Sequence, residues 1–269
     1  MKIFEKIDKT FGNLTKKTTK NNNMKSIYDW VGDFNEGIAQ VKLNNKYGYI
    51  DKTGREVIPC KYDDVWNFSE GFAKVALNGK YGYIDETGKE VIPLKYDWIG
   101  DFEEGLVRVK LNCKYGFIDK TGREICPCKY DWFEYFNDGL AVVKLNGKYG
   151  CIDKTGREIC PCKYDWVNDF KDGFARVVLN GKYGCINKVG KDVIPCIFEE
   201  IIIGPMRNTI NFWIKDNGKW GYMNQLGDMV LPCIFDGMWY IDETLIYGAY
   251  NNRAVIFNIE GEIVSYENI

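Results

Sequence analysis

GLAVVKLNGKYGCIDKTGREICPCKYD, residues 139–165, reads as strand, turn, strand, turn and strand, and the chain writes it repeatedly. Its Tyr149-Gly150 pair is preceded by Tyr47-Gly48, Tyr81-Gly82 and Tyr115-Gly116 and followed by Tyr183-Gly184, in steps of 34 residues. The same step carries Pro59, Pro93, Pro127, Pro161 and Pro195, and Gly54, Gly88, Gly122, Gly156 and Gly190. Self-similarity at one fixed period marks a tandem repeat, so the architecture is decided before any local reading. A sixth copy with Trp220-Gly221, Gly227 and Pro232 follows a short insertion, and a degraded seventh ends at Gly261-Glu-Ile-Val. The units run 26–60, 61–94, 95–128, 129–162, 163–196, 197–233 and 234–269, after residues 1–25.

Each unit predicts a three-stranded meander. In the third, Gly105-Leu-Val-Arg-Val-Lys-Leu alternates with period two, Asn112-Cys113 turns, and Lys114-Tyr-Gly-Phe-Ile forms a second run. Asp119-Lys-Thr-Gly122 turns again, and Arg123-Glu-Ile-Cys-Pro-Cys supplies the third run. Asn-Gly at 78–79, 146–147, 180–181 and 217–218 suits a type I′ hairpin turn, whose two central residues need positive φ. The first unit has Asn45 at the glycine position, which tolerates a left-handed backbone, and the third has Cys113, which in the same turn must hold that backbone at a cost. Proline cannot donate to a ladder, so the third run belongs at an edge. A unit of about eight buried side chains, at roughly 2 kcal/mol each, cannot offset the ordering of its own residues. Neighbours must therefore complete one another's cores. The expected closure is an open, twisted superhelical array, because 34 residues are short for a propeller blade; a seven-bladed propeller is the alternative, if the passage through Tyr-Asp-Trp adds a fourth strand.

The composition, 45% hydrophobic and 28% charged with net charge −2, fits a soluble protein and steers toward neither membrane nor nucleic acid. Glu5, Lys6, Asp8 and Lys9 interrupt any secretory core, which gives a cytoplasmic reading. Ile3, Phe4, Ile7 and Phe11 fall at helical spacing and predict a short amphipathic helix with a polar linker after it.

The chain contains no histidine, which removes the usual base near neutral pH and the nucleophile pairs built on it. The carboxylates Asp51, Asp85, Asp119 and Asp153, and Glu36, Glu70, Glu104, Asp138 and Asp172, recur at the repeat period. A column gives each carboxyl the same surroundings, whereas an acid–base pair needs two different ones. Nine of the ten cysteines, all but Cys113, occupy columns that elsewhere hold Leu, Ile, Tyr or Phe, which is cysteine used as a small hydrophobe. The residues thus give no catalytic, cofactor or metal site. Lysine columns accompanied by acidic ones read as a solvated, paired face and speak against a nucleic-acid track.

The aromatics are where function is expected. Trp30, Trp98, Trp132 and Trp166 follow Tyr-Asp at one offset, while the second unit has Asp64 there and Trp66 two residues on. If these rings face outward they form a ladder of platforms for a protein hot spot or a sugar; otherwise they are core. Pro205, Met206, Arg207 and Trp239 lie where insertions break the period, a common place for a binding face.

Residues 139–165 resemble the bacterial WG-containing (KWG) repeat, with a likeness that extends over about residues 26–264. Tyr replaces the eponymous Trp in five units and the seventh has Ala254-Val255 in its place. The resemblance implies a β-rich interaction module and supplies no catalytic residue. The expectation is a non-enzymatic protein–protein interaction module, with an inhibitor or immunity-type protein as one form of it. A carbohydrate-binding module using the Tyr-Asp-Trp ladder is the alternative.

Overall fold

A computed structural model describes residues 27–206 and 209–268, so the helix expected near the N-terminus lies outside the described residues. Within them the chain forms seven four-stranded antiparallel sheets in sequence order, which span 30–62, 64–96, 98–130, 132–164, 166–198, 200–235 and 237–268. Sheet four shows the pattern: Trp132–Phe133, Leu140–Leu145, Lys148–Asp153 and Glu158–Tyr164. The three expected runs are its second, third and fourth strands. The first strand, which the three-stranded reading omits and only the propeller alternative calls for, begins at the tryptophan after Tyr-Asp as a short ladder, Trp132↔Lys144 and Phe133↔Val143, against the second. The unit is thus a four-stranded meander, and its proline strand lies at the edge as expected.

Turn chemistry follows the sequence closely. Asn146 and Gly147 have φ of 52° and 80°, and Asn112 and Cys113 have 51° and 63°, so Cys113 does hold the left-handed backbone. A second two-residue turn joins the first and second strands at Glu36-Gly37, Glu70-Gly71, Glu104-Gly105, Asp138-Gly139 and Asp172-Gly173, again with both residues at positive φ. The periodic acids of that column are therefore turn residues. In the turn between the third and fourth strands, Asp51 Oδ1 accepts from the Thr53 amide at 2.8 Å and the Arg55 amide at 3.1 Å, and also from the Thr53 hydroxyl. Asp85, Asp119 and Asp153 repeat this arrangement.

The glycine of each Tyr-Gly pair is explained by the edge strand. In sheet four Tyr149 pairs with Tyr164 and Cys151 with Cys160, so the one residue between them on the third strand faces three on the next. The surplus, Pro161-Cys162-Lys163, arches over Gly150. A Cβ on Gly150 would lie 2.7 Å from the Cys160 carbonyl oxygen and the Cys162 nitrogen. Gly48, Gly82, Gly116, Gly184 and Gly221 meet the same obstruction. In the seventh sheet proline and glycine are lost together: Val255 pairs directly with Tyr266 and no arch forms there.

The chain divides into two compact units, Met1–Cys128 and Lys129–Ile269. In each, the apolar core lies between successive sheets. In the first, Tyr49, Ile58 and Tyr62 of sheet one pack on Val65, Phe68, Ala73, Val75 and Ile84 of sheet two. The same layer joins Tyr83, Ile92 and Tyr96 to Ile99, Val107, Val109 and Ile118 of sheet three. The phenols of Tyr49 and Tyr83 donate to the Trp66 and Gly100 carbonyls of the following sheet at 2.6 and 2.8 Å. In the second unit Cys151, Cys160 and Tyr164 pack on Val167, Phe170, Ala175, Val177 and Ile186. Cys185, Ile194 and Phe198, on the other side of sheet five, pack on Ile201, Phe212, Ile214 and Met223. Cysteine thus sits in core columns: Cys126, Cys151, Cys160 and Cys185 are buried, and burial pushes the Cys162 and Cys185 thiols up to about 11 and about 12. Among the described residues no three Cys, Asp or Glu side chains gather as a metal site would require.

Candidate binding surface

The aspartate of each Tyr-Asp-Trp passage fixes where its tryptophan sits. Asp97 Oδ2 accepts the Asn112 amide of its own hairpin at 2.7 Å, while Oδ1 takes the Lys80 ammonium of the preceding sheet at 2.6 Å. Asp63 does the same with Asn78 and Lys46, and Asp165 with Asn180 and Lys148. The lysine bond is the main cause that holds the carboxyls of Asp63, Asp97 and Asp165 below the ordinary range. Lys46, Lys80 and Lys148 are thus committed to the following sheet, with Lys219 on Asp236 in the same way.

One residue beyond Asp29, Asp97, Asp131 and Asp165 a tryptophan begins the first strand and heads a cross-strand row, whereas Asp64 follows Asp63. In sheet one the row is Trp30, Lys42, Tyr47 and Tyr62, and in sheet four Trp132, Lys144, Tyr149 and Tyr164. The inner end is buried, with Tyr62 and Tyr164 at 0% and 1% exposure, whereas the outer end is open. Trp30, Trp98, Trp132 and Trp166 are 46%, 38%, 38% and 48% exposed, so the rings face outward and are not core. Each is nevertheless held. Trp30 and Trp132 meet Tyr47 and Tyr149 edge to face at 6.4 and 6.1 Å, Lys42 and Lys144 lie over those tyrosines at 5.0 and 4.8 Å, and Arg108 lies over Trp98 at 5.3 Å. The result in sheets one, three and four is a platform of indole, cation and phenol, whereas in sheet five Val178 stands where the cation would be.

The row is interrupted where the sequence departs from its pattern. In the second unit Tyr149 has two indoles beside it, Trp132 from its own sheet and Trp166 from the next at 4.8 Å. In the compact unit Met1–Cys128, Asp64 of the second repeat occupies the position of Trp166. Tyr47 then faces a cleft of about 590 Å³ whose lining includes Trp30, Gln40, Lys42, Asp29 and Asp64. Trp66, half-buried, has moved along the chain to lie under Lys74 and 6.1 Å from Tyr81. The cleft was not visible in the sequence, although Asp64 was its signal.

The insertion lengthens the outer hairpin of sheet six, Glu200–Met206 paired with Thr209–Asp216. Met206 ends that strand, and Arg207 lies outside the described residues. Beside this hairpin a cleft of about 270 Å³ is lined by Asp169, Lys171, Phe174, Arg176, Ile202 and Ile210 among others. Trp239 is 51% exposed and stacks on Tyr247 at 3.9 Å and 18°, away from the four-tryptophan column because Gly237 holds the column position in sheet seven. The structure thus brings Trp30, Trp98, Trp132 and Trp166 to equivalent places and sets Trp66, Met206 and Trp239 apart from them.

The WG-containing repeat model matches residues 20–47, 47–81, 81–115, 115–149, 149–183, 183–220 and 220–243. No curated protein matches the chain. Among solved structures, Hsv2p of Kluyveromyces lactis is similar over 89% of this chain and 99% of its own, at 11% identity and a TM-score of 0.32. A eukaryotic initiation factor is similar over 87% of this chain and 74% of its own, at 10% identity and a TM-score of 0.34. Likeness at that level assigns neither partner nor activity. The contiguous family matches, together with the recurring Tyr-Gly or Trp-Gly pair under its proline arch, establish that the chain belongs to the WG-containing repeat family.

Proposed function

We propose that this chain is a non-enzymatic, cytoplasmic binding module that docks another protein on outward tryptophans, Trp30 and Trp98 in one compact unit and Trp132 and Trp166 in the other. One observation carries the reading: four indoles in equivalent positions are 38–48% exposed, although apolar side chains of that size are ordinarily covered. Tryptophan held rigidly beside a cation is what protein hot spots use, since little side-chain freedom is lost on contact. An inhibitor or immunity-type protein that covers a partner's working surface is the specific form proposed. The absence of histidine from the sequence supports the non-enzymatic part, and free thiols in all ten cysteines suit a reducing compartment. Lysines paired with aspartates favour a protein partner over nucleic acid, and neither a membrane nor a cofactor belongs to the reading.

The test compares capture of partners from native cells by the parent and by a Trp98→Ser/Trp132→Ser/Trp166→Ser variant, with both melting curves recorded. The expected result is a specific protein band, lost in the variant, at little change in melting temperature. Equal capture by both would remove these tryptophans from the binding surface. A sugar chain laid over the same rings is the second reading, because Lys42, Lys144 and Arg108 beside them could bond hydroxyls. Retention on a glycan array, with loss in the same variant, would select it.

A further inference from the structure

The cleft beside Tyr47 lies where, beside Tyr149, the fold places the side chain of Trp166. We propose that it receives one indole side chain from a positively charged segment of the partner protein. The inference rests on the protein-docking reading and names the partner's chemistry at one position.

The repeat supplies its own template. In the second unit the slot beside Tyr149 is occupied by Trp166, ring centre to ring centre at 4.8 Å. Trp166 pairs across its sheet with Val178, and the equivalent pair in sheet two is Asp64 with Ala76. Both members are smaller, so the indole is missing and nothing from its own strand pair replaces it. Next to Tyr183, Glu200 also stands in the column, but Arg176 lies over that ring at 5.3 Å. Gln40 holds the position of Arg176 in sheet one, is shorter, and is tied to Asn67 Oδ1 at 2.9 Å. The slot at Tyr47 therefore stays open, at about 590 Å³, with aromatic walls from Trp30 and Tyr47.

Charge selects among aromatic occupants. Asp64 is exposed at the lip, and Asp29 lines the same cleft while accepting the Asn44 amide at 2.8 Å. Lys42 is the cation among the lining residues and lies over the Tyr47 ring at 5.0 Å. Two carboxylates against one ammonium favour an indole accompanied by positive charge over a neutral or acidic one.

The test uses 5-fluorotryptamine as probe, observed by fluorine NMR against the full chain, with 5-fluoroindole-3-acetate as the same ring of opposite charge. The amine should bind saturably and at least threefold tighter than the acid. Asp64→Trp refills the slot from within and should abolish binding while the protein stays folded. Asp64→Asn keeps the slot and should reduce the preference for the amine, which decides the matter if Asp64→Trp does not fold. Unchanged amine binding in Asp64→Trp, or no charge preference in the parent, would overturn the proposal. So would a methyl glucoside that perturbs this cleft when the amine does not. Because the probe needs no partner and residue 64 lies outside the docking variant, failure here is distinguishable from failure of the docking reading.

Discussion

Replacing Gly150 by alanine sets two physical effects of opposite sign against each other. Gly150 is in a strand and its φ is not positive, so on conformational grounds alanine should stabilise by about 0.5–1 kcal/mol. Sterically, the new methyl would lie 2.7 Å from the Cys160 oxygen and Cys162 nitrogen and 2.8 Å from the Pro161 carbonyl carbon. These are backbone atoms of the arch and lie at least about 0.7 Å inside the ~3.5 Å at which such atoms rest. A methyl forced into a filled site costs about 1–3 kcal/mol, and the rigidity of the obstacle favours the upper end. The net expectation is a loss of about 2 kcal/mol, or roughly 4–8 °C in melting temperature. Thermal and denaturant unfolding of Gly150→Ala against the parent measure it. Any rise in stability would refute the arch as the reason for glycine. The seventh sheet supplies an internal comparison, since Val255 stands at this position where the proline and the arch are absent.

Three further outcomes are expected. Cys113→Gly should raise the melting temperature, because relief of a φ of 63° is worth about 1–2 kcal/mol against about 0.4–1 kcal/mol of added unfolded-state freedom; a lower melting temperature would contradict this. The carboxyls of Asp51, Asp85 and Asp119, bonded first by threonine hydroxyls, and those of Asp63, Asp97 and Asp165, bonded first by lysines, are held below their ordinary value. Their contribution is complete above the unfolded pKa of about 3.9 and is lost as pH falls through the lower folded values, so acid unfolding should steepen below about pH 4 and weaken when Asp97 is Asn. All ten cysteines should titrate as thiols after anaerobic denaturation, with bound zinc well below one per chain; one tightly held zinc would contradict the use of cysteine as core.

What was legible in the sequence and what was not divides by the range of the interaction. Asn112, Cys113 and Asp119 act within a few residues of chain, and their turn roles follow from spacing. The period 34 likewise showed that neighbours share a core. The first strand escaped because in sheets two, four and five it is two residues long, too short to display alternation. The role of Gly150 escaped because it depends on the bulged register opposite Pro161, which exists only once the edge strand is paired. Outward tryptophans were an open alternative, since an indole at a strand's first position has no periodic partner that assigns its face. Asp64 was visible as a departure, but the cleft needs Ala76 across the strand and Gln40 nearby, and sequence spacing relates neither to Tyr47.

Within each compact unit no sheet has a private core, because each packs its apolar side chains on the sheet next to it in sequence. Sheet five states it most clearly: Val167, Phe170 and Val177 pack toward sheet four, and Cys185, Ile194 and Phe198 toward sheet six. The direct measurement is circular dichroism and thermal unfolding of residues 166–198 as an isolated peptide beside the full chain. The peptide should show an unfolded spectrum and no transition while the full chain melts sharply. A cooperative, β-type transition in the peptide would contradict the account.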